Sequence, residues 1–179
     1  INLTTGDNNV ALGYNSLRYK NDGTDNTTFA NCAGLGADTK VSGSNQIQLG
    51  NSTTTVYAYG AVQNRSDIRD KSCVRNTILG LDFICALRPV DFKWDYRENY
   101  IGVDDDGSKA GKRYHHGFIA QEVENILAQM KVDFGGYQDH SKSGGEDVKS
   151  LGYSEFIAPM IKAIQELSGK ITKLEEKFI

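Results

Sequence analysis

The sequence changes character once, between residues 65 and 66, and that break limits what the chain can fold into. Before it, Gly, Asn, Thr and Ser dominate and large apolar side chains are sparse. After it, helical periodicity sets in, and the chain closes in a heptad seam. A hydrophobic fraction of 39% over 179 residues, distributed so unevenly, does not support one continuous core. The expected organisation is two segments, 1–65 and 66–179, of different architecture.

The first segment repeats short turn-and-strand units. Asn9-Val10-Ala11-Leu12-Gly13, Asn26-Thr27-Thr28-Phe29-Ala30 and Asn45-Gln46-Ile47-Gln48-Leu49-Gly50 each place Asn at a turn before alternating apolar positions. Alternation of period two predicts strands, and Asn and Gly supply corners at positive φ. Thr53 to Val62 is rich in β-branched and aromatic residues and also predicts a strand. One such strip buries too little to stand alone, so the units must stack on one another or on other chains.

The second segment reads as α+β, with helices and strands grouped rather than alternating. A helix is expected over 76–87, ended by Arg88-Pro89. Val90-Asp91-Phe92-Lys93-Trp94 predicts a strand, a further helix follows Gly117, and residues 135–149 read as a polar loop. From about residue 153 a long helix carries the heptads. Ile157, Ile164, Ile171 and Phe178 fall seven apart, and Met160, Leu167 and Leu174 form the other seam position. Ile at a and Leu at d alone favour a dimer, while Ile161 widens the face enough for a third helix. A helix packed within one chain would show the same period.

Ser66-Asp67-Ile68-Arg69-Asp70-Lys71 stands at the break itself. A serine becomes a nucleophile when a base takes its proton, and lysine can act as that base only when neutral. Its free pKa of about 10.4 leaves roughly one lysine in a thousand neutral at pH 7. A dry environment must lower that value by about three units. Ile68 and Val74, or a subunit interface, are the candidates to supply it. Asp67 and Asp70 oppose the change unless Arg69 or another cation engages them.

The same residues, followed by Leu81-Asp82-Phe83-Ile84 and Arg88-Pro89-Val90-Asp91-Phe92-Lys93-Trp94, resemble the C-terminal intramolecular chaperone domain of phage tail spikes and fibres. Gly117-Phe118-Ile119-Ala120-Gln121-Glu122-Val123 and Leu151-Gly152-Tyr153-Ser154-Glu155-Phe156-Ile157-Ala158-Pro159 continue the likeness in order. Phage endosialidases and L-shaped tail fibres carry such domains. Residues 1–65 are similar to trimeric adhesin head repeats and distal fibre shafts. The resemblance implies a β-rich fibre segment, then an α+β chaperone domain ending in a coiled-coil helix, all trimeric. It implies Ser66 as nucleophile, Lys71 as base, Arg65–Ser66 as the bond cut, and Asp67, Arg69 and Asp70 as support. The trimer seam would be Ile157, Met160, Ile164, Leu167, Ile171 and Leu174. The implied partners are two further copies, the upstream shaft and a host-surface receptor. The fibre would end in the virion tail, and the chaperone would act in the host cytoplasm during assembly. A permanent receptor-binding trimeric tip that is never cut is the alternative.

Other classes find little support. A net charge of −3 gives no field to attract nucleic acid or an anionic membrane, and no apolar run approaches the ~20 residues of a membrane span. Ile1-Asn2-Leu3-Thr4 shows no signal-peptide pattern and no initiating Met, so a fragment of a longer protein is expected. Cys32, Cys73 and Cys85 have neither the number nor the spacing of a metal or disulfide framework, and no metal or cofactor is expected. Gly102 to Lys109 departs from both phosphate-loop and calcium-loop patterns. His115-His116 lacks a third ligand, and Asp91 and Asp95 flanking Trp94 read as an exposed strand face.

Overall fold

Three asparagines, Asn8, Asn31 and Asn45, take positive φ of 56°, 56° and 63° two positions before residues that pair as parallel strands. Asn tolerates this left-handed conformation better than most L residues. In the computed structural model, which describes residues 5–178, the strands are β1 (Val10–Leu12), β2 (Ala33–Leu35) and β3 (Ile47–Leu49). Val10 aligns with Ala33 and Ile47, and Leu12 with Leu35 and Leu49. The same register stacks Gly13, Gly36 and Gly50 at the opposite corner, all at positive φ. Asn31 Nδ2 donates to Asn45 Oδ1 at 2.8 Å, joining two corners directly. The tetrapeptide Ile1–Thr4, read above for a signal sequence, lies outside the described residues.

Two of the three expected units therefore appear as strands, but the middle rung is Ala33–Leu35 rather than 26–30. Asn26 is buried and spends its side chain on Leu17 O and the Phe29 amide, while Phe29 turns into a small core with Leu17, Cys32 and Val41. Residues 53–62 form no strand and are exposed. Among the described residues they pair with neither edge strand of the sheet, and propensity alone does not make a strand. Val10, Leu12, Leu35, Ile47 and Leu49 remain exposed on the rungs.

The chain forms two compact units. Among the described residues the first combines 5–61, 91–115 and 139–148, and the second combines 62–90, 116–138 and 149–178. The second unit, with its mixture of helix and strand, matches the α+β expectation. Its α1 (Leu81–Ala86) is shorter than the expected 76–87, because Gly80 at its start is extended and Thr77 Oγ1 takes the Leu79 amide. Along the chain as a whole, α1 is followed by β4 (Val90–Phe92), β5 (His115–Gly117), α2 (Ala120–Met130), β6 (Tyr137–Asp139), β7 (Lys149–Leu151) and α3 (Ile157–Glu175). β4 pairs with β5, and β6 with β7, so the polar stretch 135–149 is not all loop.

The core of the second unit gathers Leu79, Phe83, Leu87, Val123, Leu127, Phe134 and Phe156. Phe83 is fully buried and forms a triangle of rings with Phe134 at 5.4 Å and Phe156 at 6.3 Å. α3 packs on α1 and buries Pro159 and Ala163. Its seam residues Ile157, Met160, Ile164, Leu167, Ile171 and Leu174 are exposed, Ile164 by 66%. Phe178 lies past the helix end.

Candidate active site

Asp67 starts a single 3-10 turn over Ile68–Asp70 by accepting the Arg69 amide at 2.9 Å. The Asp70 amide then donates to Asp67 O at 3.1 Å, and the Lys71 amide to Ile68 O at 3.1 Å. One tight turn folds the chain back on itself. Lys71 Nζ consequently donates to Ser66 Oγ at 2.7 Å.

The two carboxylates beside this pair are both occupied. Arg69 grips Asp67 with Nε on Oδ1 at 3.0 Å and Nη2 on Oδ2 at 2.6 Å. This guanidinium, helped by the Arg69 amide, holds the Asp67 carboxyl below the usual carboxylate range. Arg65 Nε lies 3.7 Å from Asp70 Oδ2. Among the described residues Lys71 forms no ion pair. The pairing expected of Arg69 is present, and Arg65 supplies the second cation. Sequence reasoning assigned Arg65 only to the bond to be cut; its five-residue spacing to Asp70 repeats that of Ser66 to Lys71.

Burial differs from one of the two expected sources. Ser66, Asp67, Arg69, Asp70 and Lys71 are exposed, and so are Ile68 and Val74. The single chain does not wrap the pair in apolar side chains, because the stretch 61–78 runs outside the aromatic core.

Downstream, the segment is anchored by a contact that no sequence signal announced. The Leu81 amide donates to Glu166 Oε2 at 2.8 Å, and Lys162 Nζ stands 3.5 Å from Oε1 of the same carboxylate. Donation from the backbone, with Lys162 nearby, holds the Glu166 carboxyl low. A side chain at Gly80 would place Cβ only 2.5 Å from Glu166 Oε2 and would push that carboxylate aside. Arg88 forks onto Glu122 of α2, which likewise holds that carboxyl low.

The constellations set aside in the sequence have ordinary roles. Tyr100 donates to Asp95 Oδ1 at 2.8 Å, and residues 102–111 are exposed. Among the described residues no three His, Cys, Asp or Glu side chains are grouped to hold a metal ion. No described helix is long and apolar enough to cross a membrane.

Residues 66–131 match a peptidase family described as chaperone of endosialidase. Over this stretch the chain is similar to the chaperone-of-endosialidase family. The match opens on Ser66, the residue that Lys71 contacts, and ends at Lys131. The expected C-terminal chaperone domain is thus supported over that range, and a chaperone-type role with it. The motif at Leu151–Pro159, the heptad helix and residues 1–65 lie outside the matched range. Comparison with curated proteins finds no match.

Proposed function

We propose that the chain is the end of a phage tail fibre or spike whose chaperone domain assembles three copies and then cuts itself away. The observation that carries this reading is the Lys71 Nζ to Ser66 Oγ hydrogen bond at the first residue of the chaperone-of-endosialidase match. Trimerisation rests on α3. Its exposed Ile and Leu seam is an unpartnered apolar stripe, and covering it with two further copies removes that surface from water. Rungs with a core as small as Leu17, Phe29, Cys32 and Val41 gain from being held in register by a separate trimeric element.

The chemistry follows from the position of the nucleophile beside the bond it attacks. Neutral Lys71 takes the Ser66 hydroxyl proton, and Oγ adds to the Arg65 carbonyl carbon. The carbon–nitrogen bond breaks, and the proton passes to the departing Ser66 amine. Residue 65 is left as an ester on Ser66 Oγ. Water hydrolyses that ester to the Arg65 carboxylate and a free hydroxyl. No cofactor is needed, and each chain turns over once. Arg69 and Arg65 keep Asp67 and Asp70 from stabilising the ammonium form, and a neighbouring copy supplies the dry surroundings that the exposed pair lacks.

The test is the mass of the purified chain under denaturing conditions. The unsubstituted chain should yield pieces that meet between Arg65 and Ser66, and Ser66→Ala should remain intact while still assembling. An unsubstituted chain that trimerises and never cuts would instead support a permanent receptor-binding tip.

A further inference from the structure

The first compact unit contains residues from both sides of the proposed cut. Residues 5–61 lie upstream of Arg65–Ser66, whereas 91–115 and 139–148 lie downstream, yet all three stretches fold together. Breaking one peptide bond at 65–66 therefore leaves this unit intact but built from two chains. What then holds it together is non-covalent, and the contacts can be named.

The densest set belongs to the loop 139–148. Glu146 presents its carboxylate to two consecutive backbone amides, with Asn21 N donating to Oε2 and Asp22 N to Oε1, each at 3.0 Å. A carboxylate that accepts two amides makes charge-assisted bonds, roughly twice as strong as neutral ones. The Glu146 amide itself donates to Ser42 O at 2.6 Å. Ser42 Oγ lies 2.5 Å from His140 Nδ1, and Gln46 Nε2 reaches the same nitrogen at 3.1 Å. Ser42 is buried, so this contact is shielded from water.

The loop is shaped for that surface. His140 N donates to Val148 O at 2.9 Å, and Gly145 N to His140 O at 2.9 Å, which closes the loop on itself. A Cβ on Gly145 would run into Ser42 O and approach Gly43 Cα at 3.2 Å, so only glycine allows this approach. Elsewhere in the unit, Lys40 pairs with Glu98 at 3.5 Å, both half-buried, and Ile101 packs beneath Gly23.

We propose that residues 139–148 are a clasp that retains the downstream piece on residues 20–46 after the chain is cut, with Glu146 as its latch. This rests on the self-cleavage reading above and adds a step to it: cutting and release are separate events, and release requires opening the clasp.

The experiment makes the cut independently of Ser66. A recognition sequence for a site-specific protease replaces the exposed stretch 61–65 in the full chain carrying Ser66→Ala. The protein is cut, passed over a size-exclusion column and resolved on a denaturing gel. The two pieces should co-elute. Glu146→Ala should raise the fraction lost on dilution by about tenfold or more, as expected for bonds to a charged group. Gly145→Val should do the same by steric exclusion, and Glu146→Gln should fall between parent and Glu146→Ala. Each uncut variant must match the parent in size and melting temperature. If Gly145→Val fails that control, the order of the two Glu146 variants decides the outcome. Separation of the parent pieces on cutting overturns the clasp, as does undiminished retention in both Glu146 variants. Failure of self-cleavage would be seen separately, in the Ser66-bearing chain without added protease.

Discussion

The Leu81 amide donates to Glu166 Oε2 across 2.8 Å, so the helix that bears the apolar seam also fixes the start of the helix that follows the Ser66–Lys71 segment. Because the bond favours the ionised carboxylate, the folded Glu166 titrates below its unfolded value. Its stabilising effect is complete above that unfolded value and is lost as pH falls through the folded one. Glu166→Gln should lower the melting temperature by a few degrees at pH 7, and the difference from the parent should shrink toward pH 3. Thermal melts across that range check both points, and an equal shift at every pH would separate the effect from ionisation.

Cutting should require the Ser66 hydroxyl and a base that can lose its proton. Ser66→Ala and Lys71→Ala should give full-length chains. Lys71→Arg should do so as well, since guanidinium stays protonated at any accessible pH. The rate should fall as pH falls, and a profile flat from about pH 5 to 9 would count against a lysine base. Hydroxylamine should intercept the ester and leave a hydroxamate on Arg65, which mass spectrometry reads directly.

Arg69 and Arg65 should matter through the carboxylates they hold. With Arg69→Gln, Asp67 loses its fork and becomes free to stabilise the Lys71 ammonium. The acid limb of the cleavage profile should then move to higher pH while assembly is unchanged. Arg65→Gln should act in the same direction through Asp70, more weakly, because that ion pair is longer at 3.7 Å. Rates measured from pH 6 to 10 check both variants, and profiles that coincide with the parent would assign the arginines no part in cutting.

The exposed seam should be needed for the trimer and not for the fold of one chain. Ile164→Asp with Leu167→Asp puts charges where apolar contact is expected, at several kcal/mol each by order of magnitude. The variant should be a folded monomer, because Pro159 and Ala163 on the inner face of α3 are untouched. Phe83→Ala should do the opposite and unfold the unit, at about 3–5 kcal/mol for a buried aromatic. Light scattering with circular dichroism distinguishes the two, and a trimer from the double variant would make the seam an intrachain surface.

Signals carried by neighbours in sequence were legible. The heptad helix starts at Ile157, after a 3-10 turn over Tyr153–Phe156, rather than at about 153; α3 covers Ile157–Glu175 and leaves the seam on one exposed side. The Ser66–Lys71 contact needed only one 3-10 turn, which Asp67 nucleates locally. The rung at Ala33–Leu35 was harder to see because its centre is Gly34, where alternation leads one to expect a side chain with bulk. A Cβ there would lie 2.7 Å from Leu17 Cγ and 2.5 Å from Ser16 Oγ, a constraint set by residues far away in sequence. The spacing of Asn31 to Gly36, which repeats Asn8 to Gly13 and Asn45 to Gly50, was the available signal.

The change of composition near residue 65 and the apolar period of α3 could be read directly, because each signal lies within a short run of chain, whereas a serine and a lysine five apart carried meaning only through the resemblance. Contacts between distant stretches set the rest: Glu166 holds the Leu81 amide, residues 53–62 stay unpaired, and 139–148 joins the unit that contains 5–61. Those outcomes turn on which surfaces meet after the chain has folded. A carboxylate seeking backbone amides, or a strand seeking an edge, leaves no periodic trace of where its partner lies.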